Sequence, residues 1–191
     1  LPEAVGGSLS ESASQSFFFR GNYAYDNRYV AELSLRRDGA SNFGTDARYG
    51  NFYSVSAGWN IHRENWFNAD WVDALKVRAS YGTMGNRPGG LYPQYALYSV
   101  SANYDGVPGT LISQLGNPDL TWEQTSTLGL GVDANLFDNR LHIVFDYYNK
   151  YTTDVLFQTP ITGITGVTSR WQNVGEISNK GVELTIGGDI I

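Results

Sequence analysis

The 191-residue sequence has no cysteine, little charge and no long apolar run. Without cysteine there is no disulfide framework, no thiolate zinc site and no cysteine nucleophile, although this absence names no compartment. Charged residues make up 17%, against about a quarter in ordinary soluble domains. Thirteen Lys and Arg against nineteen Asp and Glu leave a net charge of −6, which argues against a phosphate-tracking surface, so nucleic acid is not an expected partner. No apolar stretch approaches the roughly 18 residues of a spanning helix, and the opening LPEAVGGSLS lacks the basic start and apolar core of a signal peptide. A helical membrane protein is thereby excluded. A barrel is not, because a barrel strand needs only about 9–11 alternating residues.

What the chain has instead is aromatic and small residues: 14% Phe, Trp and Tyr, with 22 glycines. They alternate with period two. Phe17, Phe19, Tyr23 and Tyr25 share one face of a run whose other face carries Arg20, Asn22 and Asp26. After a turn at Asp26 to Arg28, Tyr29, Ala31, Leu33 and Leu35 oppose Glu32, Ser34, Arg36 and Asp38. Five further strands follow from the same arithmetic. Their apolar sets are Tyr53, Val55, Ala57, Trp59; Leu75, Val77, Ala79, Tyr81; Leu128, Leu130, Val132, Ala134, Leu136; Leu141, Ile143, Phe145, Tyr147; and Val182, Leu184, Ile186, Ile190.

Connections alternate in length: short at Asp26 to Arg28 and Phe137 to Arg140, long at Gly39 to Gly50, Thr83 to Leu120 and Thr152 to Asn179. Asn60 to Ala74 departs from the pattern and reads as a brief helix or a wide turn on the short-turn side. Tyr23, Tyr25, Tyr29, Trp59, Tyr81 and Tyr147 are expected near strand ends on the apolar face, where a ring with a polar tip suits a lipid headgroup boundary. The pattern fits an outer-membrane barrel wall, and it also fits a soluble sandwich with those aromatics in its core.

As strings the segments say more. RRDGASNFG (Arg36 to Gly44), SVSAGW (Ser54 to Trp59), LKVRASYGTMGN (Leu75 to Asn86), GNPDLTWEQT (Gly116 to Thr125), DYYNKYTTD (Asp146 to Asp154) and NVGEISNKGVEL (Asn173 to Leu184) together resemble the C-terminal barrel region of SusC/RagA-type TonB-linked outer-membrane transporters. The resemblance runs from about Phe17 to Ile191. It implies an all-β, antiparallel transmembrane barrel of about 22 strands, of which this chain supplies about seven. It also implies an N-terminal plug, energy from the TonB complex, a SusD-like surface lipoprotein over the extracellular loops, and uptake of oligosaccharides or peptides across the outer membrane of a Gram-negative bacterium. Seven strands cannot close a barrel in lipid without unpaired edges. Residues 1–191 are therefore expected to be one C-terminal portion of the barrel, without the plug, the TonB-contacting segment or the final strands.

No catalytic or metal constellation emerges, and no cofactor is expected. His62 and His142 have no partner at ligand spacing and read as turn or lumen residues. The glycines of LGLGV (Leu128 to Val132) fall on one face of a strand with no helix after them, so they mark close packing inside the barrel and not a nucleotide loop. GTMGNRPGG reads as the start of a flexible loop. Arg20, Glu32, Arg36, Asp38, Lys76 and Arg78 are expected on the lumen face, with Asp133, Asp146, Glu183 and Asp189, where they would offer charge partners to a plug. Ligand contact is expected in the loops. Tyr92, Tyr95, Tyr98, Tyr104, Trp122 and Trp171 offer flat amphipathic faces for sugar rings or peptide side chains; the alternative for each is packing of loop on loop or on the lid protein. Two competing functions remain at this point: a secreted β-sandwich that binds carbohydrate, with Leu33, Val55, Leu130 and Ile143 turned into a protein core, and a glycosidase-like enzyme, for which no acid pair can be picked out.

Overall fold

Period-two alternation obliges each run to form a strand with two unlike faces, and the pairing register decides whether those faces line up across the sheet. The computed structural model describes residues 11–189. It contains β1 (Ser14–Tyr25), β2 (Tyr29–Ala40), β3 (Tyr49–Asn60), β4 (Val72–Asn86), β5 (Leu97–Tyr104), β6 (Val107–Gln114), β7 (Glu123–Leu136), β8 (Leu141–Thr153), β9 (Leu156–Pro160), β10 (Ser169–Asn173) and β11 (Ile177–Gly188). The seven long strands form one antiparallel sheet in the order β1-β2-β3-β4-β7-β8-β11. These are the seven that alternation marks. Ile190, placed with the last apolar set, lies outside the described residues.

The register brings like faces together. Tyr25, Tyr29, Trp59, Val77, Val132, Phe145 and Leu184 form one row straight across the sheet, and Tyr23, Ala31, Ala57, Ala79, Leu130, Tyr147 and Val182 form the next. The apolar band is not parallel to these rows. On β2 it runs from Tyr29 up to Leu35, whereas on β11 it runs from Ile186 to Val182, which is displaced toward the short-turn end by one row at the short-turn margin and by two rows at the long-loop margin. With about 6.7 Å per row along a strand and about 4.8 Å between strands, that slip corresponds to a band slanted by roughly 15–30° against the rows, somewhat less than the strand tilt of about 35–45° in barrel walls.

Short turns depend on residues that tolerate a left-handed backbone. Asp26 and Asn27 sit at φ 50° and 52° between β1 and β2, and Phe137, Asp138 and Asn139 at 58°, 57° and 59° between β7 and β8. Phe137 is bulky for this region; its ring stacks on Trp71 at 6.0 Å and its N–H donates to the Trp71 carbonyl at 2.9 Å, which holds it there.

Three readings are corrected. Thr83 to Leu120 and Thr152 to Asn179 are not plain loops: the first carries the β5–β6 hairpin and the second the β9–β10 hairpin. The missed signal was Asp105-Gly106, whose φ values of 49° and 82° make the tight turn between β5 and β6. Asn60 to Ala74 ends earlier than expected, with β4 already under way at Val72; the remainder is the brief helix or wide turn expected there, a 3-10 turn at Ile61–Arg63 followed by irregular chain. Tyr81 and Tyr147 lie in mid-strand, not near strand ends. The next outward positions beyond them are Thr83 and Asn149, so both rings still end the apolar band; the strands simply continue past it.

Candidate functional site

The two faces of the sheet differ in kind. Leu33, Val55 and Leu130 are 42%, 48% and 44% exposed on the apolar face, with no second sheet over them among the described residues. The opposite face combines charge with glycine. Arg78 lies across the backbone of Gly131: its Nε is 3.1 Å from Asp133 Oδ2 and its Nη2 is 2.8 Å from Asp146 Oδ1, one strand further on. A Cβ on Gly131 would stand 2.5 Å from the Arg78 Cζ, and one on Gly129 would stand 2.8 Å from Ser80 Oγ. Gly131 therefore gives the arginine a path to the second carboxylate, while Gly129 makes room for Ser80.

Arg20 pairs with Glu32 at 3.4 Å and Arg36 with Asp38 at 2.7 Å on the same face. Lys76 stands opposite Asp133 in the β4–β7 register, but that carboxylate is held by Arg78. A hollow of ≈ 600 Å³ opens here, with Glu32, Lys76, Arg78, Ser80, Gly129 and Gly131 in its lining.

At the short-turn end, Glu64 is the hub. It accepts hydrogen bonds from Tyr29 Oη at 2.5 Å and Trp59 Nε1 at 2.9 Å, and Arg28 approaches to 3.7 Å. The Tyr29 bond, then the Trp59 bond and the Arg28 charge, hold its carboxyl below the ordinary carboxylate range. His62 is part of the same connection, its Nδ1 accepting from the Leu75 N–H at 3.1 Å, and His142 Nδ1 lies 3.1 Å from Asn135 Oδ1. Both contacts are structural.

The long-loop end forms a packed platform. Phe43 and Leu120 are buried at its centre, with Trp122 and Trp171 against them. The Trp122 ring lies 4.8 Å from Phe43 and 5.6 Å from Phe52. Asn117 joins three stretches: its Nδ2 donates to the Trp171 carbonyl at 2.9 Å, its Oδ1 accepts from Arg170 Nη2 at 3.3 Å and the Asp119 N–H at 3.2 Å, and its own N–H donates to the Pro93 carbonyl at 3.0 Å. Asn173 answers from the other loop, donating to the Thr121 and Asp154 carbonyls at 2.9 and 2.8 Å. Gly116 must be glycine, since a Cβ would stand 2.4 Å from the Tyr95 carbonyl carbon.

These asparagines were missed as site residues, although GNPDLTWEQT and NVGEISNKGVEL contain them. Trp122 and Trp171 are half-buried in the platform, the packing role set beside ligand contact for each of them. Tyr95 and Tyr98 are 59% and 63% exposed, and Tyr92 is 41% exposed with its hydroxyl 3.4 Å from the Glu11 carbonyl. Tyr104 ends β5, and its side chain lies outside the described residues.

A slanted apolar band on one face and a charged, glycine-smoothed face on the other have a counterpart among known proteins. The family described as TonB dependent receptor-like, beta-barrel, matches residues 5–189. The chain belongs to this TonB-dependent receptor family. It is 40% identical over 182 residues, 93% of its length, to the TonB-dependent receptor P3 of Formosa agariphila, and 32% identical over 180 residues to the TonB-dependent receptor SusC of Bacteroides thetaiotaomicron. The RagAB peptide importer in its closed-closed state superposes on 95% of the chain with a TM-score of 0.88 at 38% identity. The chain spans only about a fifth of each relative: 18% of the two receptors and 20% of the solved chain.

Proposed function

We propose that the protein carrying this chain is an outer-membrane importer of a Gram-negative bacterium, and that these seven strands are one stretch of its barrel wall. Uptake is driven through TonB, a plug fills the lumen, a SusD-like surface lipoprotein covers the loops, and the cargo is an oligosaccharide or a peptide too large for simple pores. The observation that carries the reading is the slanted apolar band, which a single sheet would have no reason to display to water. A soluble carbohydrate-binding sandwich would instead bury Leu33, Val55 and Leu130 against a second sheet. On the lumen side, Arg20, Glu32, Arg36, Asp38, Lys76 and Arg78 face the plug, and the Arg78 pair with Asp133 and Asp146 stiffens the wall beneath it. Tyr95 and Tyr98 are the ligand-facing rings, while Trp122 and Trp171 hold the platform that presents them.

The test is electrophoresis of an outer-membrane fraction containing the native polypeptide, with and without boiling. The expected result is a band several times the 21.1 kDa of this chain whose mobility shifts on heating. A water-soluble species of about this chain's size with no heat shift contradicts the proposal.

A further inference from the structure

Charge on the outward face of a barrel wall is costly at depth and tolerated only toward the interfaces, so any charged residue there is informative. On the outward positions of the regular pairing across the seven-stranded sheet, two side chains are charged: Arg37 on β2 and Lys180 on β11. Both are cations. Each stands one outward step beyond the last apolar residue of its strand, Leu35 for Arg37 and Val182 for Lys180, on the side of the long loops. Straight across the register they are two rows apart, with Arg37 level with Asn51 and Lys180 with Asn149. The long-loop margin of the apolar band slips by the same two rows between Leu35 and Val182, so the two cations stand at the same step beyond it.

Neither has an ion-pair partner among the described residues. The carboxylate of Glu176, just before β11, is engaged by the Tyr151 hydroxyl. The Arg37 guanidinium instead lies over the Tyr49 ring, 4.8 Å from its centroid, a contact that limits its motion and uses the face of the guanidinium, not its N–H donors.

We propose that Arg37 and Lys180 are contacts for phosphate-bearing headgroups of lipids in the leaflet on the long-loop side, one lipid at each. The proposal rests on the wall reading. It adds that the wall selects an anionic lipid at this margin. Arg37 suits a phosphate by its planar fork and Lys180 by point charge, and the apolar residues just below each cation receive the acyl chains. The five strand spacings between them, roughly 24 Å, are too wide for one headgroup, which is why two lipids are assigned.

The experiment uses the full-length receptor in detergent, with lipid A and chemically dephosphorylated lipid A as probes and native mass spectrometry as the readout. Heat-modifiable mobility is run on every variant as an independent check of the barrel. The wild type is expected to bind lipid A more tightly than its dephosphorylated form. R37Q and K180Q should each reduce that preference roughly fivefold, and the double variant should abolish most of it, while R37K keeps it and all variants retain the heat shift. Equal binding of the two lipids by the wild type, or an unchanged preference in the double variant with the barrel intact, overturns the proposal.

Discussion

Replacing Asn117 with Ala isolates what the loop platform owes to one side chain. Asn117 is 8% exposed and makes three side-chain hydrogen bonds, to the Trp171 carbonyl, Arg170 Nη2 and the Asp119 N–H. A neutral hydrogen bond contributes about 0.5–1.5 kcal/mol net and one to a charged group about 1.5–3, so the three sum to about 2.5–6 kcal/mol, and rehydration of the freed partners as the loops relax brings the local loss to about 2–4 kcal/mol. The population of the opened platform should rise roughly 30- to 1,000-fold. Hydrogen exchange of the full-length receptor would show it as faster exchange in peptides covering 87–122 and 154–176, with the amides of β7 and β8 unchanged. N117D keeps the acceptor for Arg170 and Asp119 but cannot donate to Trp171, so its effect should be smaller. Wild-type exchange rates in N117A would refute the argument that this residue joins the loops.

Other predictions follow from the same contacts. G131V drives Arg78 off Asp146 and should lower barrel stability by about 1–3 kcal/mol in denaturant unfolding; combining it with R78S should cost less than the sum, and strict additivity would show that the steric reading is wrong. Glu64 has a depressed carboxyl pKa, so its stabilisation is complete above the ordinary carboxylate range and is lost as pH falls through its folded-state pKa. The heat-shift temperature of the wild type should accordingly fall more between neutral and acid pH than that of E64Q, and parallel curves would count against it. Y95A with Y98A should weaken affinity for the transported oligosaccharide or peptide about five- to thirtyfold without changing thermal stability, since both rings are exposed. Unchanged affinity removes them as ligand contacts.

The wall was legible because alternation is a direct imprint of a two-faced sheet, and each of the seven strands kept its parity through the register. The long connections were harder. Leu97 to Gln114 lacks a clean alternation around Asp105-Gly106, and β9 and β10 are five residues each, so a hairpin held by neighbouring loops leaves a weak pattern of its own. The charges of the polar face could be placed by parity. That Arg78 reaches Asp146 over Gly131 could not, because cross-strand neighbours depend on a register that sequence does not state. Trp122 shows the same limit from the other direction: an aromatic in a loop string looks ligand-facing until Phe43 and Phe52 are found beside it.

The central claim is that the face bearing Val55 meets lipid while the face bearing Ser54 meets water, and a spin label tests it residue by residue. This chain has no cysteine of its own, so V55C and S54C in the full-length receptor, with any cysteine elsewhere replaced by serine and reconstituted in bilayers, report the two faces directly. The account predicts that the label at position 55 collides freely with dissolved oxygen and poorly with a water-soluble nickel chelate, and that the label at position 54 does the reverse. A label at position 55 shielded from both reagents would place Val55 in a protein core and contradict the barrel wall.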